Sequence, residues 1–211
     1  MRTPTKPHRP GSAEMPIMQV HHAAGALDTA TRADLARRLT EVLIRMEGGA
    51  NTRGGRAFAW VMFSPFPQED WWVGGATDEG FVSAPGRFLV TVTIPEGYMN
   101  ESQKNDVHAG VAGSILAATG APQPPEAGGS ILVVIHEVPE GNWSAAGRPI
   151  SLERIADSVG LSREGERFAW SRRYFEAKAR MLDGAGFPGD MGGVLPSQDR
   201  AGRSAKNWDA R

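Results

Sequence analysis

The feature that most limits what this chain can fold into is an internal repeat. Sliding the sequence by 72 residues lays Ile17-Met18-Gln19-Val20 on Leu89-Val90-Thr91-Val92 with no gap. Gly25 then falls on Gly97, Asp28 on Asn100, and Leu35, Leu39 and Leu43 on Val107, Val111 and Ile115. Val61 and Phe63 fall on Val133 and Ile135, Pro67 on Pro139, Trp71 on Trp143, and Gly75 on Gly147. A register held across apolar and turn residues alike marks two copies of one supersecondary unit.

Each unit reads strand, helix, strand, turn. Pro16 to His22 is a short β-rich run, followed by a loop at Gly25 and an N-cap at Asp28 or Thr29. Leu35, Leu39, Val42, Leu43 and Met46 recur at helical spacing, and Gly48-Gly49 is a natural stop. Arg56 to Phe63 reads as the second strand, with Phe58, Trp60 and Met62 on one face, and Trp71 to Gly75 closes the unit. The second copy predicts a strand over 87–94, a helix over 100–118, a Pro/Gly-rich loop over 120–129, a strand over 130–137 and a turn at 143–147. Two strands joined through a helix run parallel. The expected fold class is therefore α/β (α+β): tandem βαβ repeats in a four-stranded mixed sheet with two helices on one face. The other face is left uncovered and apolar, which calls for a homo-oligomer.

The flanks differ in composition. Residues 1–15 hold Pro4, Pro7 and Pro10 among basic and small residues and are expected to be a disordered leader. The repeat domain spans 16–150, divided into 16–87 and 88–150. A helical extension follows over 151–182: a short helix at Ser151 to Val159, then 163–182 with Phe168, Phe175 and Leu182 seven apart. The Gly-rich tail 183–211 is expected to be disordered. A net charge of −1 argues against a mainly electrostatic nucleic-acid binder. The absence of Cys excludes disulfides, thiolate catalysis and Cys-ligated zinc. No apolar run approaches the roughly 20 residues of a membrane span, and the N-terminus lacks a signal-like apolar stretch. A cytoplasmic protein without nucleic-acid or membrane partners is the resulting expectation. Neighbouring strand residues point to opposite faces, so neither His21-His22 nor His136-Glu137 can readily chelate one ion. Gly74-Gly75 and Gly128-Gly129 lack phosphate-loop spacing.

From Pro16 to about Gly147 the chain resembles the tautomerase superfamily, whose best-known member is 4-oxalocrotonate tautomerase. The segment PIMQVHHAAGALDTATRADL is similar to that family's opening strand, which begins with Pro; IPEGYMNESQK and IHEVPEGNW are similar to its loop and second-strand motifs. The two-unit layout, and RAFAWVMFSPFPQEDWWVGG in particular, resembles the cis-3-chloroacrylic acid dehalogenase branch. The resemblance implies a cofactor- and metal-independent enzyme acting on a small 2-oxo or enol acid, a trimer for a fused member, and catalysis by an N-terminal Pro freed by removal of the initiator Met.

On that resemblance the catalytic residue is Pro16. A free secondary amine near neutral pKa can take and return a proton. Inside a chain the same nitrogen is an amide without a basic lone pair, so the reading requires translation from Met15 and its removal. The second unit has Phe88 at the matching position, so one proline site per chain is expected. Family Arg positions are occupied by Ala26, Tyr98, Trp60 and Leu132, and the Arg pair of the dehalogenase branch is missing from the loop holding Pro95 and Tyr98. Its helix His and its late Tyr and Glu align with Leu43, Val134 and Ala145, which counts against dehalogenation. Arg56 and Arg87 are candidate cations for a substrate carboxylate. Tyr98 is a candidate hydrogen-bond donor, and Trp71 and Trp143 are candidate pocket walls. Two other readings stay open: a hydratase, decarboxylase or dehalogenase using the same proline, and a non-catalytic oligomeric module.

Overall fold

The computed structural model describes residues 16–188, apart from 47, 49–50, 146, 150, 153–154 and 157–161. The expected leader, Gly49 of the helix stop, most of the tail and parts of the short helix over 151–159 lie outside the described residues. In chain order the elements are β1 (Ile17–Ala23), α1 (Thr29–Met46), α2 (Arg53–Phe58), β2 (Trp60–Phe66), β3 (Phe88–Pro95), α3 (Glu101–Thr119), β4 (Ile131–Val138), β5 (Ser144–Ala145), β6 (Arg148–Pro149) and α4 (Glu166–Gly184).

The main sheet has the order β2-β1-β3-β4. β1 pairs parallel with β2, β3 parallel with β4, and β1 antiparallel with β3. The central pairing obeys the repeat. Gln19 lies opposite Thr91, its own counterpart, and the flanking pairs Val20–Val90 and Met18–Val92 interchange under the same shift. A pseudo-two-fold axis therefore passes between Gln19 and Thr91. Left-handed glycines repeat as well: Gly25 and Gly97, Gly48 and Gly120, Gly75 and Gly147 all have positive φ.

Alternation along the strands separates the two faces. Met18, Val20, Phe88, Val90, Val92 and Ile94 are buried against Leu35, Leu39 and Leu43 of α1 and Val107, Val111 and Ile115 of α3. Asp28 caps α1, its carboxylate accepting from the Thr31 N–H at 2.7 Å. A capping box between Asn100 and Gln103 starts α3. The helices meet where Gly110 faces Val42; a Cβ on Gly110 would sit 3.3 Å from the Val42 side chain. The opposite face carries Trp60 and Leu132, 48% and 60% exposed, together with exposed Met62, Phe66 and Val134. Fully burying an aliphatic or aromatic side chain of this size is worth about 1.5–3 kcal/mol.

One expectation needs correcting. The strand predicted from Arg56 begins only at Trp60, because Thr52 accepts a hydrogen bond from the Gly55 N–H at 3.0 Å and starts the short helix α2. Phe58 therefore does not share a face with Trp60 and Met62. It is fully buried in a second cluster with Tyr98, Leu152, Ile155, Phe168 and Phe175. The helix predicted over 163–182 runs from 166 to 184, with Phe168 and Phe175 on its buried side.

That second cluster lays α4 on the loop after β3. A Cβ on Gly97 would lie 2.4 Å from the Tyr174 ring, whereas one on Gly25 would meet nothing within 4 Å. Gly25→Ala should cost only the left-handed backbone penalty, about 1–2 kcal/mol. Gly97→Ala should cost about 1–3 kcal/mol more through overpacking. Urea unfolding of both variants checks the ordering.

Candidate active site

Antiparallel pairing sets the start of β1 beside the end of β3: Ile17 lies opposite Thr93, which leaves Pro16 next to Ile94. Pro16 is buried, and its carbonyl accepts from the Trp60 N–H at 3.3 Å. It shares a cavity of about 30 Å³ with Ile94, Pro95, Tyr98 and Met99 from β3 and its loop, Met46 from α1, Leu152 and Ile155 from the extension, and Arg167 and Ser171 from α4. That volume admits a water molecule or two. It does not admit a four-to-six-carbon acid.

The sequence-predicted site residues divide into two sets. Tyr98 is brought to Pro16, and its hydroxyl lies 3.4 Å from Glu140 Oε1. Trp143 packs on the adjoining cluster. Arg56 lies on α2 instead of opening a strand; its guanidinium pairs with Glu41 and Asn51, both at 2.9 Å. Arg87 is buried, where it donates to the Thr77 and Asp78 carbonyls and pairs with Glu79 at 3.3 Å. It pins the β2–β3 loop. Trp71 packs edge-on against Phe66, with ring centres 5.8 Å apart. None of these last three lines the Pro16 cavity. Phe88 heads β3, and its buried ring stacks on His22 at 6.3 Å, filling the position that mirrors Pro16. His21 and His22 do face opposite sides of the sheet: His21 meets Phe66, while burial holds the His22 imidazole below its usual pKa against the raising effect of its bond to Ala23.

Arg167 and Ser171 escaped the sequence reading, which followed the apolar period of Phe168 and Phe175. A second stripe runs beside it at i, i+4, i+7 and i+11: Arg167, Ser171, Tyr174 and Lys178. Each member serves the β3–α3 loop or the cavity. Arg167 Nη2 donates to the Tyr98 carbonyl at 3.4 Å. Ser171 lines the cavity, with its Oγ buried and without a hydrogen-bond partner among the described residues. Tyr174 and Lys178 donate to the two Glu96 oxygens at 2.5 and 2.6 Å. Two shallower clefts of about 450 and 570 Å³ flank α4 against the first turn of α3; neither includes Pro16.

The comparisons with known proteins bear on this arrangement. Residues 89–153 match the family model described as tautomerase enzyme. The second repeat is thus similar to the tautomerase family over nearly its whole length. Among solved structures, the fused 4-OT asymmetric trimer F6 aligns with a TM-score of 0.52 at 19% identity, over 64% of this chain and 95% of its own. N1, of the cis-3-chloroacrylic acid dehalogenase family, aligns with a TM-score of 0.52 at 18% identity, over 81% of this chain and 97% of its own. Pt0534, inactivated by 2-oxo-3-pentynoate, aligns at 0.50 and 20% identity, over 63% and 93%. At such identities the likeness to these structures is one of fold. No curated protein matches the sequence significantly.

The Glu96 clamp generates a pH prediction. Burial pushes the Glu96 carboxyl up, but the hydrogen bonds from Lys178 and Tyr174 outweigh it and hold it below the ordinary 4.5. A depressed carboxylate stabilises the fold fully above its unfolded pKa, and the contribution disappears as pH falls through the lowered folded value. Glu96→Gln should therefore melt below the parent at pH 7, and the gap should narrow as pH drops below about 4.5. Thermal melts of both proteins across that window check it.

Proposed function

We propose that the protein is a cofactor-independent keto–enol tautomerase for a small 2-oxo acid, acting in the form whose chain begins at Pro16. The observation that carries this reading is the place of Pro16: buried at the head of a central strand, in a mainly apolar cavity with Tyr98 and Arg167 on its wall. An amine in such surroundings has its pKa lowered by desolvation and by a neighbouring cation, which favours the neutral base near pH 7. Pro16 would take the enol O–H proton and return it to carbon. Nothing is gained or lost overall, so no cofactor is called for. A cytoplasmic setting is proposed with it. The narrowness of the cavity and the missing loop arginines favour a second reading, a non-catalytic oligomeric module, and the same test separates the two.

2-Oxo-3-pentynoate inactivates Pt0534 and suits the purpose. A free Pro16 nitrogen would add to the alkyne carbon β to the ketone, its N–H proton ending on the α carbon, so the protein would gain the mass of one whole probe. The expected result is a single adduct that maps to Pro16 in protein beginning at that residue, and none in Pro16→Ala or in protein beginning at Met1. An unlabelled, stably folded Pro16 form would favour the non-catalytic module.

The exposed sheet face is proposed as the interface of a homotrimer, as in the trimeric fused 4-OT F6. Leu132 is 60% exposed near the start of its strand on that face. Leu132→Lys would place an unpaired charge in a buried interface. Native mass spectrometry should show the parent as a trimer and the variant as single protomers; a monomeric parent would refute the assembly.

A further inference from the structure

We propose that Ser171 of α4 is a further residue of the Pro16 site, its hydroxyl donating a hydrogen bond to the substrate oxygen that alternates between enol and ketone. The inference rests on the tautomerase reading and deepens it by assigning what steadies that oxygen while Pro16 moves the proton.

A hydroxyl without an internal partner carries the inference. Ser171 is 1% exposed and lines the cavity with Pro16. Its Oγ has no hydrogen-bond partner among the described residues. A serine inside a helix has an acceptor at hand in the carbonyl four residues back. The hydroxyls beyond the first turn of α1 and α3 take it: Thr40 donates to Ala36 at 2.8 Å, Ser114 to Gly110 at 2.6 Å and Thr119 to Ile115 at 2.8 Å. Ser171 leaves the matching carbonyl of Arg167 alone. A buried polar group in this state costs about 1–3 kcal/mol. Native structures keep one where a catalytic role, an ion or a water completes it.

The surroundings favour the catalytic role. Met46, Ile94, Met99, Leu152 and Ile155 make the wall mainly apolar, and no carboxylate among the described residues lines it to hold a cation. As Pro16 takes the enol proton, charge builds on the oxygen until the C=C pair takes the proton at carbon and the ketone forms. A donor fixed beside that oxygen counters the charge without giving up its own proton, and apolar surroundings strengthen the bond. The space of about 30 Å³ beside Pro16 takes the oxygen itself. The rest of the acid has to displace part of the apolar wall, to which the extension contributes Leu152 and Ile155.

The test is Ser171→Ala in protein beginning at Pro16, with 2-oxo-3-pentynoate and 2-butynenitrile as probes. Both offer the amine a methyl-bearing alkyne, and in both the N–C bond forms while the N–H proton ends on the α carbon. In the keto acid the displaced alkyne pair passes onto the ketone oxygen; in the nitrile it passes onto nitrogen at a different place. The rate of Pro16 labelling by the keto acid should fall roughly tenfold to a hundredfold, between the loss of a net neutral hydrogen bond and that of a full oxyanion donor. Labelling by the nitrile should stay within about twofold, since no hydrogen bond to oxygen is lost there. The variant should melt at or above the parent temperature, because it removes a buried hydroxyl that nothing satisfies and adds a better helix former. A lower melting temperature would give the hydroxyl a structural partner and overturn the proposal. Equal slowing with both probes would place it on the Pro16 amine or in the packing, and unchanged labelling by the keto acid would leave it no role; either result overturns the proposal as well. If the keto acid does not label Pro16 in the parent, the proline reading itself fails and this inference falls with it.

Discussion

The antiparallel contact between β1 and β3 is the constraint on which the rest of the molecule depends. Each repeat is a parallel βαβ unit that leaves its first strand with a free edge, and pairing those edges makes one four-stranded sheet. The pairing is centred where Gln19 meets Thr91, so the beginning of either strand lies against the end of the other. Pro16 is thereby set beside Ile94, and the glycine loop that follows β3 falls over it. A parallel pairing of the same strands would put Pro16 and that loop at opposite ends of the sheet.

Packing and function make competing demands on α4. Phe168 and Phe175 are nearly fully buried, and they hold the helix to a cluster with Phe58, Tyr98 and Leu152. A Phe truncated in such a cluster costs about 3–5 kcal/mol, so the helix is not a loosely attached tail. The polar stripe beside it is a different kind of surface. Its contacts include hydrogen bonds to the loop after β3, each worth about 0.5–1.5 kcal/mol net, or about 1.5–3 kcal/mol where a charge takes part. Apolar anchoring keeps the helix in place, while the polar stripe adds hydrogen bonds to the loop after β3. That division suits an element that walls the Pro16 cavity.

Most of the fold was legible because it is written twice. Leu35 with Val107, Leu39 with Val111 and Gly25 with Gly97 corroborate each other, and a strand or helix ambiguous in one copy is settled by the other. Reading failed where the copies differ. α2 has no counterpart in the second repeat, and its start depends on a local cap at Thr52 that apolar periodicity does not register. Pro16 and Tyr98 stood out by residue type and register. Arg56 and Arg87 stood out only as cations at strand ends, and position along a strand says nothing about whether a carboxylate or a carbonyl already holds them. The contribution of Arg167 and Ser171 was hidden for a physical reason: their stripe is polar and irregular in chemistry, and its meaning depends on which loop the helix lies across.

The two ends of the duplicated sheet are unequal. At one end Phe88 stacks on His22, and an aromatic ring occupies the space that mirrors the cavity. At the other the ring is replaced by the smaller Pro16, and the room released lies beneath α4. The loop glycines record the same divergence. Gly25 and Gly97 share a left-handed backbone, which is reason enough for glycine at both. Only Gly97 is also needed small, because the Tyr174 ring lies against it. The side-chain-free approach lets α4 settle low enough for Arg167 and Ser171 to reach the cavity instead of standing a side chain's width above it. A residue that the repeat explains as turn geometry thus sets, in one copy only, how closely the extension can approach Pro16.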